Sequence, residues 1–340
     1  MKLAARISPA EAINEPPVCL QIIDNGIRAN VCTLGNFSLA TGKAKSRKSF
    51  FTALTFSVVT GYYNDHFYGC LPEGRSKGIY FDTEQSKYHV QKLLHRICRL
   101  TNQDDPPNIE VYSLRKYTPQ ERMLLIEHII SEDPHIGFVV IDGIRDLATS
   151  INDEEQATMV STKLLKWTEE YNMHIMAVLH QNKGDNNARG HLGSELTNKA
   201  ETVLSISKNE ADKDISVVEA TYCRDREFNP FAFIIDVEGL PAVMDSWADT
   251  RGAGRAHRNI IEELGDENIY NMLKECFAND SRMKYRSVQN QIKIAGSKLF
   301  HKNISDGKAV QIITYCKNKL WIVQENSMAP YTLDTFNSTI

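Results

Sequence analysis

Gly42-Lys43-Ala44-Lys45-Ser46-Arg47-Lys48-Ser49 decides the reading of this chain. Seven of the eight positions are compatible with G-x-x-x-x-G-K-[ST], a loop whose backbone N–H groups converge on one anion-sized concavity. In that pattern the Lys reaches the β- and γ-phosphates of a nucleotide, and the Ser or Thr hydroxyl ligates Mg²⁺. Lys48 and Ser49 take those roles, and Gly42, Lys43, Ala44, Lys45, Ser46 and Arg47 form the cradle. Arg47 stands where the pattern has its second Gly, so it must adopt a backbone conformation that Gly adopts more easily.

The flanks suit the motif. Asn36–Thr41 can form a short strand before the loop, and Phe50–Tyr62 is an apolar stretch long enough for three helical turns. Strand, Gly-led basic loop and helix is the setting such a motif needs. A basic surface loop between a strand and a helix is the alternative.

Composition sets bounds. A chain of 340 residues suggests two domains or one with an appendage. It is 42% hydrophobic and 24% charged, as an ordinary globular protein is. No run approaches the roughly 18 apolar residues of a membrane span. Met1–Arg6 lacks the apolar core of a signal peptide. The seven cysteines are scattered, odd in number and without a C-x-x-C pair. That excludes a zinc ribbon or disulfide framework as the expected design, and fits buried thiols in a reducing cytoplasm.

The net charge of −4 is uneven: residues 251–340 hold 13 Lys+Arg against 9 Asp+Glu, which is +4, leaving −8 elsewhere. Between 282 and 319, nine basic residues face only Asp306. A basic patch confined to one terminal module is an electrostatic footprint for nucleic acid, although solvated helix faces are also Lys-rich.

Along the chain, residues 1–36 are a lead-in with a turn signal at Asp24-Asn25-Gly26. Residues 37–245 alternate apolar runs with helical patterns, which predicts an α/β fold with a mostly parallel sheet. Strands are expected at 39–41, 78–82, 109–113, 137–142, 174–180, 202–207, 215–223 and 232–237. Helices are expected at 49–61, 86–101, 118–131, 154–171 and 193–200. Residues 246–258 read as a linker. From 259 to 340 the pattern is three helices (259–278, 284–295 and 306–316, with Asp306 as N-cap) and a hairpin, Leu320–Val323 with Tyr331–Leu333. This order resembles a winged-helix domain. On that reading Lys308, Gln311 and Thr314 face bases, and Lys317 and Lys319 face phosphates; winged helices also serve as protein-docking modules.

Nucleotide hydrolysis needs a carboxylate for Mg²⁺ and a group that positions the attacking water. Phe138-Val139-Val140-Ile141-Asp142 supplies the first, with Asp142 at a strand's C-terminal edge, where α/β sheets present ligands. Ile79–Glu84 supplies the second, on a strand expected to end beside the loop strand. Glu84 is preferred as the base and Asp82 is its rival.

The order of loop, Glu84, Asp142 and the strand Ile175–Gln181 resembles RecA-type ATPases, in the branch of plasmid RepA-type hexameric helicases and replicative helicase modules. The resemblance covers about residues 30–240 and implies a RecA-like core that forms a ring with ATP between subunits. It implies that His180 and Gln181 sense the γ-phosphate. It also implies that the Gly184–Gly193 loop faces single-stranded nucleic acid, with Arg189 on phosphates and Lys183 assisting. Arg224 and Arg226 match a pair of basic residues that reaches the neighbouring subunit's ATP. Glu84, Lys48, Arg224 and Arg226 are thus the expected catalytic set, with ATP and Mg²⁺ as cofactors. The expected partners are single- or double-stranded DNA, further copies of the chain and a primase or relaxase, with no membrane association. The leading expectation is a DNA-dependent ATPase motor of plasmid or mobile-element replication or mobilisation. The alternative is a nucleotide-gated DNA-binding or regulatory protein with little turnover, and a small-molecule kinase is a third.

Overall fold

The computed structural model describes residues 6–9, 11–24, 26–150, 152–182, 188, 190–209, 212–244, 260–300, 304, 306–325 and 329–335. The chain divides into two units, Met1–Asp249 and Thr250–Ile340.

In the first unit the alternation of apolar runs and amphipathic stretches becomes strand and helix in turn. The elements are β1 (Val18–Asp24), β2 (Ile27–Thr33), β3 (Phe37–Gly42), α1 (Lys48–Thr60), β4 (Phe67–Gly69), β5 (Lys77–Asp82) and α2 (Lys87–Thr101). They continue with β6 (Ile109–Ser113), α3 (Pro119–Glu132), β7 (Ile136–Asp142), a 3-10 turn (Ile144–Leu147), α4 (Glu154–Tyr171) and β8 (His174–His180). The unit ends with α5 (Gly190–Lys199), β9 (Thr202–Lys208), β10 (Ile215–Cys223), β11 (Phe231–Ile235) and β12 (Pro241–Val243).

One sheet carries the order β12-β11-β10-β9-β3-β8-β7-β5-β6. The strands from β9 to β6 in that order are parallel; β10, β11 and β12 are antiparallel additions. The fold is therefore α/β with a mostly parallel sheet, as expected. Both faces are covered. Tyr80, Phe138, Val140, Met176 and Val178 join α1 in one core, while Ile79, Phe81, Val139, Ile141 and Ala177 join α3 and α4 in another. Burial on both faces is why these strands read as continuous apolar runs.

Helix α1 is buried nearly all round, because the small sheet β2-β1-β4 packs on its far side. The predicted turn at 24–26 does join an antiparallel pair, β1 and β2, with Asn25 outside the described residues. Strand β4, which pairs with β1, was not anticipated. Helix α3 begins where its chemistry demands: Thr118 and Glu121 form a capping box, and Pro119 needs no N–H bond at the first position.

Two expectations are corrected here. β5 does not end beside β3, because β8 and β7 lie between them. Chain order does not set lateral order in a sheet of crossover connections. Helix α5 starts at Gly190, not at 193, and Gly190 opens it with a positive φ of 73° that glycine adopts freely. The cysteines also divide: Cys19, Cys32, Cys276 and Cys316 are buried, but Cys70 is exposed and Cys98 and Cys223 are half-buried.

The second unit holds α6 (Ile260–Leu264), α7 (Asp266–Phe277), α8 (Tyr285–Phe300), α9 (Asp306–Asn318), β13 (Ile322–Val323) and β14 (Thr332–Leu333). Trp321 is fully buried, with Tyr270 and Tyr315 edge-on at 5.7 and 5.8 Å. Met283 and Tyr331 exchange backbone hydrogen bonds of 3.0 and 2.7 Å, adding a bridge beside the β13–β14 hairpin. The single helix expected at 259–278 is broken at Gly265 (φ 73°), whose left-handed backbone ends α6. α8 runs beyond 295 to Phe300, and Asp306 is the first residue of α9, not its cap. Leu320 takes a left-handed turn (φ 56°), so the hairpin strand starts only at Ile322. The proposed linker lies outside the described residues. Among the described residues no helix is long and apolar enough to cross a membrane.

Candidate nucleotide site

The site forms at the C-terminal edge of the parallel strands. Register sets Gly42 level with His180 across β3–β8, and Asp82 level with Asp142 across β5–β7. Four strand ends thus deliver a loop, a histidine and two acids to one rim. The cleft there has a volume of about 480 Å³ and is lined by the loop, Glu84, Asp142, His180 and the first turns of α2.

The loop's bends explain its sequence. A Cβ on Gly42 would lie 2.2 Å from the Ile206 carbonyl oxygen, so only glycine fits beside β9. Arg47 has φ 72° and ψ 28°, the left-handed conformation expected where the second Gly is missing. Its guanidinium bonds the Asp214 carbonyl and lies 3.3 Å from the Asp214 carboxylate, on the connection between β9 and β10. Lys45 is left-handed as well, with φ 64°.

Lys48 donates to the Gly42 carbonyl at 2.9 Å and the Lys43 carbonyl at 3.1 Å. Its Nζ also lies 3.0 Å from His180 Nδ1. An ammonium only donates, so Nδ1 accepts, and the remaining proton belongs on Nε2. That nitrogen is 3.5 Å from Glu84 Oε2. His180 therefore joins the loop lysine to the strand-end acid. Burial pushes Lys48 below its ordinary pKa, against the pull of Asp142 and Glu84. The His180 hydrogen bond holds Glu84 below the usual carboxylate range, against burial. Glu84 is thus ionised at neutral pH.

Ser49 Oγ donates to Asp142 Oδ2 at 2.7 Å. Tyr80, fully buried on β5, donates to the same oxygen at 2.9 Å. Burial raises the Asp142 pKa, while the bonds from Ser49 and Tyr80 oppose the rise. Asp82 shapes the turn at the end of β5. Its Oδ1 accepts from the backbone N–H of Glu84 (3.0 Å) and Gln85 (2.7 Å), and its Oδ2 accepts from the Gln85 side chain. It is 1% exposed and builds the turn that presents Glu84. Burial first, then the charge of Asp142, push it up to about 6. Gly143 (φ 97°) completes the turn, since a Cβ there would strike Thr83 Oγ1 at 2.1 Å and Glu84 Cγ at 2.9 Å.

Gln181 is buried. Its N–H bonds the Gly42 carbonyl at 3.1 Å, and its amide reaches Thr41 (3.2 Å) and Ser205 (3.1 Å). The structure thus brings together Gly42–Ser49, Glu84, Asp142, His180 and Gln181. It does not bring Arg224 and Arg226 to them. β10 runs antiparallel to β9, so Cys223 pairs with Thr202 at the opposite edge of the sheet. Arg224 bonds Asn36, just before β3, at 3.1 Å. Arg189 and Lys183 lie outside the described residues.

In the second unit Lys317 is exposed, with Nζ 5.4 Å from the Tyr331 ring centroid, and Lys308 is half-buried. Lys319 Nζ lies 3.7 Å from the Asp266 carboxylate. Tyr315 donates to the same Asp266 at 2.6 Å.

Sequence reasoning missed Tyr80 and Thr83. The signal for Tyr80 was a phenol two residues before Asp82, hence on the same face, in an otherwise apolar strand.

A family model described as an AAA domain matches residues 4–186, over half the chain. The chain belongs to the AAA domain family. The matched span holds the loop, Glu84, Asp142, His180 and Gln181, and membership of the family suggests nucleotide hydrolysis. No curated protein matches the chain. Among solved structures, a KaiC-like protein, PH0186, from Pyrococcus horikoshii OT3 aligns with a TM-score of 0.47 at 16% identity. That alignment covers 65% of this chain and 93% of the archaeal one.

Proposed function

We propose that this AAA-domain protein is a Mg²⁺-dependent ATPase that works as a ring and is driven by DNA, in the manner of a replication or mobilisation helicase of a plasmid or mobile element. The observation that carries the ATPase reading is the continuous contact from Lys48 through His180 to Glu84, beside the 2.7 Å Ser49–Asp142 pair. The loop amides and Lys48 hold the β- and γ-phosphates. Ser49 and Asp142 fit Mg²⁺, since hydroxyl and carboxylate oxygens are the hard ligands it takes beside phosphates and water. When bound, Mg²⁺ would neutralise charge on the phosphate oxygens.

Glu84 orients the attacking water and takes its proton as oxygen bonds to the γ-phosphorus and the bridging P–O bond breaks towards ADP. His180, which touches both Lys48 and Glu84, would register the γ-phosphate that Lys48 turns to. The adenine would lie toward Phe50 and Arg96, whose guanidinium carbon sits 3.8 Å from the Phe50 centroid on the cleft wall.

Arg224 and Arg226 follow the end of β10, which pairs with the start of β9 and lies at the opposite end of the strands from the loop. Their place at the far edge suits a role toward a second copy, with one of them stabilising γ-phosphoryl charge there. Support for a DNA partner comes from the second unit: its helices, the Met283–Tyr331 bridge and the hairpin follow the winged-helix order, and its charge is basic. A primase or relaxase is the kind of partner such a motor serves.

The test is complementation. Lys48→Ala and Arg226→Ala should each be inactive alone, and mixtures should recover turnover where an intact loop meets an intact arginine. No recovery at any ratio would refute a shared site. The Arg47–Asp214 tie favours a second reading, a slow nucleotide-gated switch in which ATP drives assembly with negligible turnover.

A further inference from the structure

Resting on the ATPase reading, we infer that Tyr80 is a positioning residue of the metal site, fixing which carboxylate oxygen Asp142 presents to Mg²⁺. Two hydroxyls, Ser49 Oγ at 2.7 Å and Tyr80 Oη at 2.9 Å, converge on the single oxygen Oδ2. A carboxylate rotates about its last bond with little resistance, so one hydrogen bond leaves its plane loosely set. Two donors on one oxygen set the plane, and Oδ1 becomes the oxygen that meets a metal-bound water.

The direction of the chain behind Tyr80 follows from proton count. Thr52 Oγ1 lies 2.8 Å from Tyr80 Oη. The single phenolic proton goes to Asp142, which only accepts when ionised, so Thr52 is the donor to Tyr80. Thr52 and Tyr80 are both fully buried, and α1 and β5 hold them from either side. In such surroundings successive hydrogen bonds strengthen one another and water does not compete. The phenol is anchored independently by Phe56, edge-on at 5.8 Å and 77°. Ser49 can turn a lone pair to the metal while its proton still points at Oδ2. The Ser49–Asp142 distance then survives metal binding only if Oδ2 stays in place, and Tyr80 holds it there. Removing the phenolic oxygen should therefore weaken the metal and not the nucleotide itself.

The experiment compares wild type with Tyr80→Phe, which keeps the ring against Phe56, and with Thr52→Val as a weaker version. Binding of a fluorescent ATP analogue is titrated with EDTA present and then against Mg²⁺, with thermal melting followed in parallel. Tyr80→Phe should leave the EDTA affinity within about twofold and raise the half-saturating Mg²⁺ concentration on the order of tenfold, the low end for partners of metal ligands. Thr52→Val should shift it in the same direction by less. An unchanged Mg²⁺ dependence in Tyr80→Phe, or an equal loss of affinity with and without Mg²⁺, overturns the assignment. If wild type binds no nucleotide under either condition, the ATPase reading fails first and takes this inference with it.

Discussion

Arg47 carries a backbone conformation that costs a non-glycine residue about 1–2 kcal/mol, and it recovers part of that through Asp214. Asp214 is 94% exposed at its side chain, so the ion pair itself is worth only about 0–1 kcal/mol. The strain exceeds the pairing by about 1 kcal/mol, and the greater backbone freedom that a glycine loses on folding offsets that difference. Arg47→Gly should therefore bind ATP as wild type does and change stability by less than about 1 kcal/mol, read from chemical denaturation. A loss of binding in that variant would mean that the guanidinium itself holds phosphate. At the same scale Asp82 and Glu84 separate cleanly. One is buried and accepts three N–H bonds from the turn; the other reaches out of the turn toward His180. Both acids stand at one strand end in the sequence, and their hydrogen bonds tell them apart: Asp82 holds the turn and Glu84 reaches His180.

At the scale of elements, most of the first unit was legible. β6, β8, β10 and α4 fall on the predicted residues, most plainly β8, whose apolar run Ile175–Leu179 leaves little room for another assignment. The three-residue strands β4 and β12 were not legible, since a few residues carry no period and pairing alone creates them. Strand adjacency was not legible either. It put β8 between the loop strand and Asp142's strand, and His180 became the link between Lys48 and Glu84. The site was recognisable from motif residues, and Tyr80 stood out as a phenol in an apolar strand, but its meeting with Asp142 follows only from the register of β5 against β7. The junction of β3 with the loop is the element most sensitive to change. Gly42→Ala should destabilise the first unit by about 1–3 kcal/mol, because the added methyl meets the β9 backbone at Ile206 instead of a yielding side chain. Ordinary stability of that variant in thermal melts would show that Gly42 and the β9 backbone are not in close contact.

At the scale of the molecule, each unit has its own buried core, and the second is organised around Trp321. Trp321→Ala should cost the second unit about 3–5 kcal/mol, enough to unfold it at moderate temperature. ATP binding by the first unit should persist. Fluorescent-nucleotide titration beside the melting curve checks both halves of that expectation, and joint loss of binding and folding would show that the units depend on one another.

On the proposed reading, Lys48, Ser49, Asp142 and Glu84 form a hydrolytic site that responds to DNA. The decisive measurement is steady-state ATP turnover with and without single-stranded DNA across protein concentration, in wild type and Glu84→Gln. Turnover should be stimulated by DNA and rise cooperatively with protein, and Glu84→Gln should fall by about 10²–10⁴ in rate with nucleotide affinity retained. Equal turnover in wild type and Glu84→Gln, or ATP binding with no response to DNA at any protein concentration, would contradict it.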